Sequence, residues 1–238
     1  METLSLLYRD TCKISDDISI VIPSVRDVIE DEENYYSLVS MITSMPIDMM
    51  VALDDIGIDF STINEYDLFL LLFNAIRSRD TRLIFGDLDL SKFVLAEHKE
   101  SGMTVLLDPE SGARFDRIVH GKAASVLRTI HHLEKNTKRP GNEAAREYMI
   151  RRAREKQSRR KNKERGSQLE PLIISMVNTE QFKYDYESVL DLSIYQFNQS
   201  VRQIIKKIDY DNRMHGVYAG TIDASKLGAK ELSWLHEK

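Results

Sequence analysis

The chain has 238 residues, of which 42% are hydrophobic and 30% charged, with a formal net charge of −5. That apolar content is enough for a sizeable core and excludes wholesale disorder. The single cysteine, Cys12, excludes an intramolecular disulfide and a cysteine zinc cluster.

The opening Met1-Glu-Thr-Leu-Ser has no basic start followed by an apolar stretch, so it does not read as a signal peptide. Ile18-Ser-Ile-Val-Ile22 reads as a short strand closed by Pro23. Ser24 with Asp27 is a capping-box variant and opens helical sequence. Tyr35, Leu38, Val39 and Ile42 follow helical spacing. Pro46 starts another helix, with Met49, Met50 and Leu53 on one side and Gly57 as its cap. Asn64 with Asp67 opens the next. Its stretch Leu68–Phe73 is apolar on every face, as in a helix buried in a core or an interface. It is also the longest apolar run, far short of the ~20 residues of a membrane-spanning helix, so no membrane partner is expected.

The middle changes character. Leu83–Phe85, Phe93–Ala96 and Thr104–Leu107 are short apolar runs. Glu100-Ser-Gly102 and Asp108–Gly112 supply turns, and Ala113–Val119 reads as a further strand. A small antiparallel meander follows. Val126, Ile130 and Leu133 then mark an amphipathic helix to about Lys138. Pro140-Gly-Asn142 breaks it, and a basic helix follows within 140–165. Leu169–Val177 is another helix. Ser193 with Gln196 caps a last long one, whose apolar residues are Ile194, Phe197, Val201, Ile204, Ile205 and Ile208. Gly216, Gly220 and Gly228 make the tail a loop before a short segment, Leu232–Leu235. The fold class expected is α+β, mostly helical: a helical bundle with a small antiparallel β-meander in the middle. The segments are an acidic helical part with an N-terminal strand (1–90), the meander (91–119) and a helical part (120–238).

Charge is segregated along the chain. Residues 1–90 hold 18 acidic and 6 basic side chains, whereas residues 138–165 hold 4 acidic and 12 basic. The cations Arg146, Arg151, Arg152, Arg154, Lys156, Arg159, Arg160, Lys161, Lys163 and Arg165 could neutralise several phosphates. At about 100° per residue they spread around the helix instead of forming one stripe. Three readings stay open: a solvated helix with acidic counterparts elsewhere in the fold, a grip on nucleic acid, or a dock for an acidic protein surface. Only Tyr148 lies nearby to stack on a base. Met45, Met49 and Met50, close in sequence, either fill a core or form an adaptable apolar contact for a partner.

Catalytic and metal signatures fail on spacing. His131 and His132 are adjacent and point about 100° apart on a helix. Gly121-Lys122 lacks the upstream glycine and the hydroxyl residue of a phosphate loop. Asp54, Asp55 and Asp59 lack the alternation and closing glutamate of a calcium loop. There is no Gly-x-Ser-x-Gly elbow. Neither an enzyme nor a cofactor is expected.

Three stretches together carry a resemblance. They are Ile22–Val28 with Tyr35–Val39 and Met49–Phe60, then Gly102–Pro109 with Leu127–Leu133, then Ser193–Gln199 with Tyr210–Thr221 and Trp234. The chain resembles tail-assembly chaperones or tail accessory proteins of long-tailed bacteriophages and prophages of Gram-positive bacteria. That resemblance implies a non-enzymatic protein of the host cytoplasm or the virion. Its implied partner is another tail component, a tape-measure or baseplate protein. It carries over no catalytic residue. A nucleic-acid-binding accessory protein and a structural baseplate or hub part are the alternatives.

Overall fold

The computed structural model describes residues 3–97, 102–160, 166–229 and 231–235. A 3-10 turn, Thr3–Leu7, leads into a hairpin of β1 (Thr11–Lys13) and β2 (Ser19–Val21), in register with Cys12 opposite Ile20. Ile18, Ile20 and Ile22 are all buried, the alternation of a strand with one face inward. Helix α1 (Val25–Glu30) begins at a complete capping box: Asp27 N–H donates to the Ser24 hydroxyl, and Ser24 N–H donates to Asp27. Helix α2 (Glu32–Thr43) follows and buries Tyr35, Leu38, Val39 and Ile42, the four positions read from spacing.

The helix expected from Pro46 is divided. A 3-10 turn, Pro46–Met49, precedes α3 (Met50–Asp55). Met45 N–H donates to the Asp48 carboxylate at 2.9 Å and tightens that first turn. Asn64 caps α4 (Glu65–Arg77), which buries Tyr66, Leu68, Phe69, Phe73 and Ile76 and leaves Leu71 exposed.

Leu83–Phe85 is not a strand. It is the short helix α5 (Arg82–Phe85), started by Asp80, which accepts from Arg82 N–H, and ended by Gly86 at φ +62°. A short apolar run carries no periodicity to separate strand from helix, and here a local turn decides. The meander itself forms as β3 (Val94–Glu97), β4 (Thr104–Leu107) and β5 (Arg114–Phe115), antiparallel in that order. Glu100 and Ser101 of the first expected turn lie outside the described residues. Asp108 holds the second turn by accepting from Glu110 N–H and the Ser111 hydroxyl.

The strand expected over Ala113–Val119 stops at Phe115. Asp116 accepts from Ile118 and Val119 N–H and so caps α6 (Arg117–His131). That helix ends at His132, in the left-handed region at φ +52°, short of Lys138. Residues 133–142 then cross to α7 (Glu143–Arg160). The last helices are α8 (Leu169–Val177) and α9 (Ile194–Tyr218). The architecture is thus a mostly helical α+β fold with the meander between helices.

One interior draws side chains from Leu6 to Ile204. Phe69, Phe85, Phe93 and Phe115 meet within it, with ring centroids 5.6–5.8 Å from Phe115, and tie α4, α5 and the sheet together. Helix α6 contributes Ala123, Val126, Leu127 and Ile130, all fully buried. The front and back of the chain also meet through backbone. Val25 N–H donates to Leu192 O and Ile194 N–H to Pro23 O, both at 2.8 Å, so the capped starts of α1 and α9 lie side by side. On α9, Phe197 and Ile204 are buried as the spacing requires. Ile205 is 57% exposed and Ile208 37% exposed, because the core ends before the helix does.

Candidate functional site

A second, smaller apolar cluster lies beside α3. Ile47, Leu53, Phe60 and Leu68 form it, and Ile150 of α7 completes it. Met45, Met49 and Met50 are partly buried against this cluster, together with Met149. The methionine-rich surface and the basic helix, about a hundred residues apart in sequence, are therefore in contact. Met149 and Ile150 are the two large aliphatic residues in an otherwise polar helix. That pair is the sequence signal for docking.

Charge reinforces the seat. The Arg154 guanidinium reaches Asp54 at 2.7 Å and Asp55 at 2.6 Å. Arg146 lies 3.7 Å from Asp59 and also pairs with Glu143 within its own helix. The Asp59 carboxyl is held below its ordinary range, first by the N–H and hydroxyl of Ser61 and then by Arg146. Asp54 and Asp55 at the end of α3, with Asp59 in the turn that follows, thus cradle two arginines. Exposed pairs of this kind contribute about 0–1 kcal/mol each, so the apolar contact of Ile150 outweighs them.

The cations that remain are arranged differently. Arg151, Arg152, Lys156 and Arg159 are exposed, and among the described residues none of them pairs with a carboxylate. At about 100° per residue, Tyr148, Arg151, Arg152 and Arg159 share one sector roughly 100° wide on the side opposite Ile150. The Arg151 and Arg152 guanidiniums stand 5.6 and 5.8 Å from the Tyr148 ring centroid. Glu155 is the one acid in that sector, with Lys156 beside it. Counted as a whole, the cations surround the helix; once Arg146 and Arg154 are spent on aspartates, an outward basic stripe is left. Arg160 ends α7, and its side chain, with Lys161, Lys163 and Arg165, lies outside the described residues.

Glu65, His120 and His131, inside the fold, each have hydrogen-bond partners. Glu65 accepts from Arg128 at 2.5 Å and from Lys135, and Arg128 also donates to Thr43 O. Burial pushes the Glu65 carboxyl up, and the two cations outweigh it and hold it below the usual range. His120 is buried, stacks on Phe69 at 4.3 Å and donates from Nε2 to Ile42 O at 3.1 Å. Burial lowers its pKa to about 4. His131 Nε2 shares a hydrogen bond with the Tyr35 hydroxyl at 2.9 Å, and its pKa is likewise lowered to about 4 by burial. Both rings are neutral at pH 7. These contacts span 63 to 96 residues of sequence, and no local signal announces them. Among the described residues, no group of three His, Cys, Asp or Glu side chains could hold a metal ion, and no helix is long and apolar enough to cross a membrane.

A family model described as the second domain of YomV matches residues 160–237, which contain α8, α9 and the tail. The name is a prophage-associated one, and the match links the C-terminal third of the chain to a phage-associated family. No curated protein and no solved structure matches the chain.

Proposed function

We propose that this chain is a non-enzymatic phage protein that binds another virion component during tail assembly, with the outward face of α7 as its contact. The observation that carries the reading is the stripe of Arg151, Arg152 and Arg159 around Tyr148: among the described residues these three make no ion pair and outnumber Glu155, the one acid in their sector, while Arg146 and Arg154 are neutralised. Like charges held together on a rigid helix repel, and an acidic partner relieves that repulsion. An Arg–Tyr surface is also the composition that protein interfaces favour. The phage-associated family match and the resemblance to tail-assembly proteins support the setting. Assembly would place the protein in the host cytoplasm, and retention in particles would make it a baseplate or hub part.

The second reading is phosphate binding by the same stripe. The test is capture by the tagged full chain from a prophage-induced lysate, with and without nuclease, beside the variant R151E/R152E/R159E. A phage-encoded virion protein captured in both samples and lost with the variant supports the proposal. Nucleic acid in the eluate, with the protein lost after nuclease and binding falling steeply with salt, replaces it with the second reading. Absence from purified particles would distinguish an assembly factor from a resident component.

A further inference from the structure

Two cavities flank the first turn of α4. One, of about 420 Å³, opens between that turn, the Pro46 turn and residues 135–140. The other, of about 490 Å³, opens between α4, β4 and the start of α6. Each is within the range of pockets that hold a drug-sized ligand. Both are lined by Asn64, Tyr66 and Arg117, so they are adjoining chambers of one trough. Tyr66 is a fixed partition, since its hydroxyl donates to Phe115 O at 2.7 Å.

The chambers differ in chemistry. Arg117, Lys135, Lys138 and Arg139 border the first. Its carboxylate, Glu65, is already held by Arg128 and Lys135. Among the described residues, Arg117, Lys138 and Arg139 have no carboxylate partner, so this end carries uncompensated positive charge. The second chamber is lined by Leu70, Met103, Val105 and Ile118, and it leaves Met103 59% and Ile118 68% exposed. Its acids are occupied: Asp116 caps α6 and lies 3.5 Å from Arg114, and Asp67 belongs to the α4 capping box.

We infer that this trough binds a short peptide segment of a partner protein, with acidic residues in the Lys138–Arg139 chamber and large apolar residues in the Met103–Ile118 chamber. Charge complementarity selects the acidic end, because a lysine-rich segment would meet Arg117, Lys138 and Arg139. Apolar burial at the far end supplies affinity and fixes direction. The inference rests on the reading that the chain binds another protein, and it adds a site separate from the α7 stripe.

The test is fluorescence anisotropy of the full chain with a labelled probe of three glutamates followed by leucine, phenylalanine and leucine. Saturable binding is expected. R117E/K138E/R139E and M103D/I118D should each weaken it at least tenfold while melting as the parent does, since all five side chains are at the surface. A probe with lysines in place of glutamates should not compete. Binding unchanged in both variants, or no saturable binding, overturns the inference. An all-glutamate probe that binds as tightly as the full probe also overturns it, because charge alone then suffices. The R151E/R152E/R159E variant separates the two proposals. It should retain the probe; if it alone loses the probe, the trough is wrong and the stripe stands. If no probe binds and the lysate capture yields no virion protein, the protein-binding reading itself falls.

Discussion

His120 and His131 are neutral rings held by one hydrogen bond each, with Ile42 O and with the Tyr35 hydroxyl, and both have pKa values lowered to about 4 by burial. The sign of their pH effect follows. Between about pH 6.5 and pH 4 the unfolded chain takes up protons on these rings and the folded chain does not, so stability falls as pH falls. Each ring can remove up to about 3 kcal/mol across that window, and below pH 4 its contribution levels off. Urea midpoints at pH 7 and pH 4.5 measure the drop, and H120Q should reduce it; an undiminished slope in H120Q would assign the effect elsewhere. Glu65 and Arg128 give a second test at this scale. R128M leaves Glu65 with Lys135 as its cation and takes the donor from the Thr43 carbonyl, and should cost about 2 kcal/mol, whereas R128M/E65L should recover part of it, because an apolar pair replaces the ion pair while the Thr43 carbonyl stays without its donor. A double variant as unstable as the single would mean that packing, not charge, holds α6 to α4.

Among the helices, α7 and α9 show how the same kind of sequence is used differently. Helix α7 is held by few apolar side chains, with Ile150 the one buried among the described residues, and by Arg154 at Asp54 and Asp55. I150D should free it: burial of that side chain contributes about 1.5–3 kcal/mol, and a buried carboxylate adds a penalty. Hydrogen exchange of amides in α7 should then accelerate while the amides of α2 and α6 stay protected. Uniform acceleration would mean that α7 is integral to the global fold. Reversal of the outward stripe, R151E/R152E/R159E, should leave the melting temperature unchanged. Helix α9, in contrast, puts Ile194, Phe197 and Ile204 into the main interior, and F197D should abolish the cooperative melt. Unchanged circular dichroism and melting would displace that core. The apolar period of α9 was legible in sequence through Ile208; that its buried face stops at Ile204 was not, because periodicity cannot say where a neighbouring surface ends.

At the scale of the whole molecule, the region matched by the YomV second-domain model is not separable from the rest. Ile194 N–H bonds Pro23 O, Gln196 bonds Leu7 O and Asn198 bonds Ile130 O, and Phe197 lies in the interior shared with α2, α4 and α6. A fragment of residues 160–238 should therefore show no cooperative thermal transition; a sharp one would establish an independent unit. What the sequence by itself determined is local. The capping boxes at Ser24, Asn64 and Ser193, the strand Thr104–Leu107, the inward face of α2 and, on α6, Val126 and Ile130 but not Leu133, which is exposed past the helix end, each depend on residues within one or two turns, so their signals lie within a short window. What only the tertiary structure decided is pairing across distance. Whether Met45, Met49 and Met50 are open or covered depends on Ile150 arriving from α7, and which arginines stay free depends on Asp54, Asp55 and Asp59, about a hundred residues earlier. A charge run records how many cations exist. Only the fold, which brings carboxylates to some and not to others, decides which of them face outward for a partner.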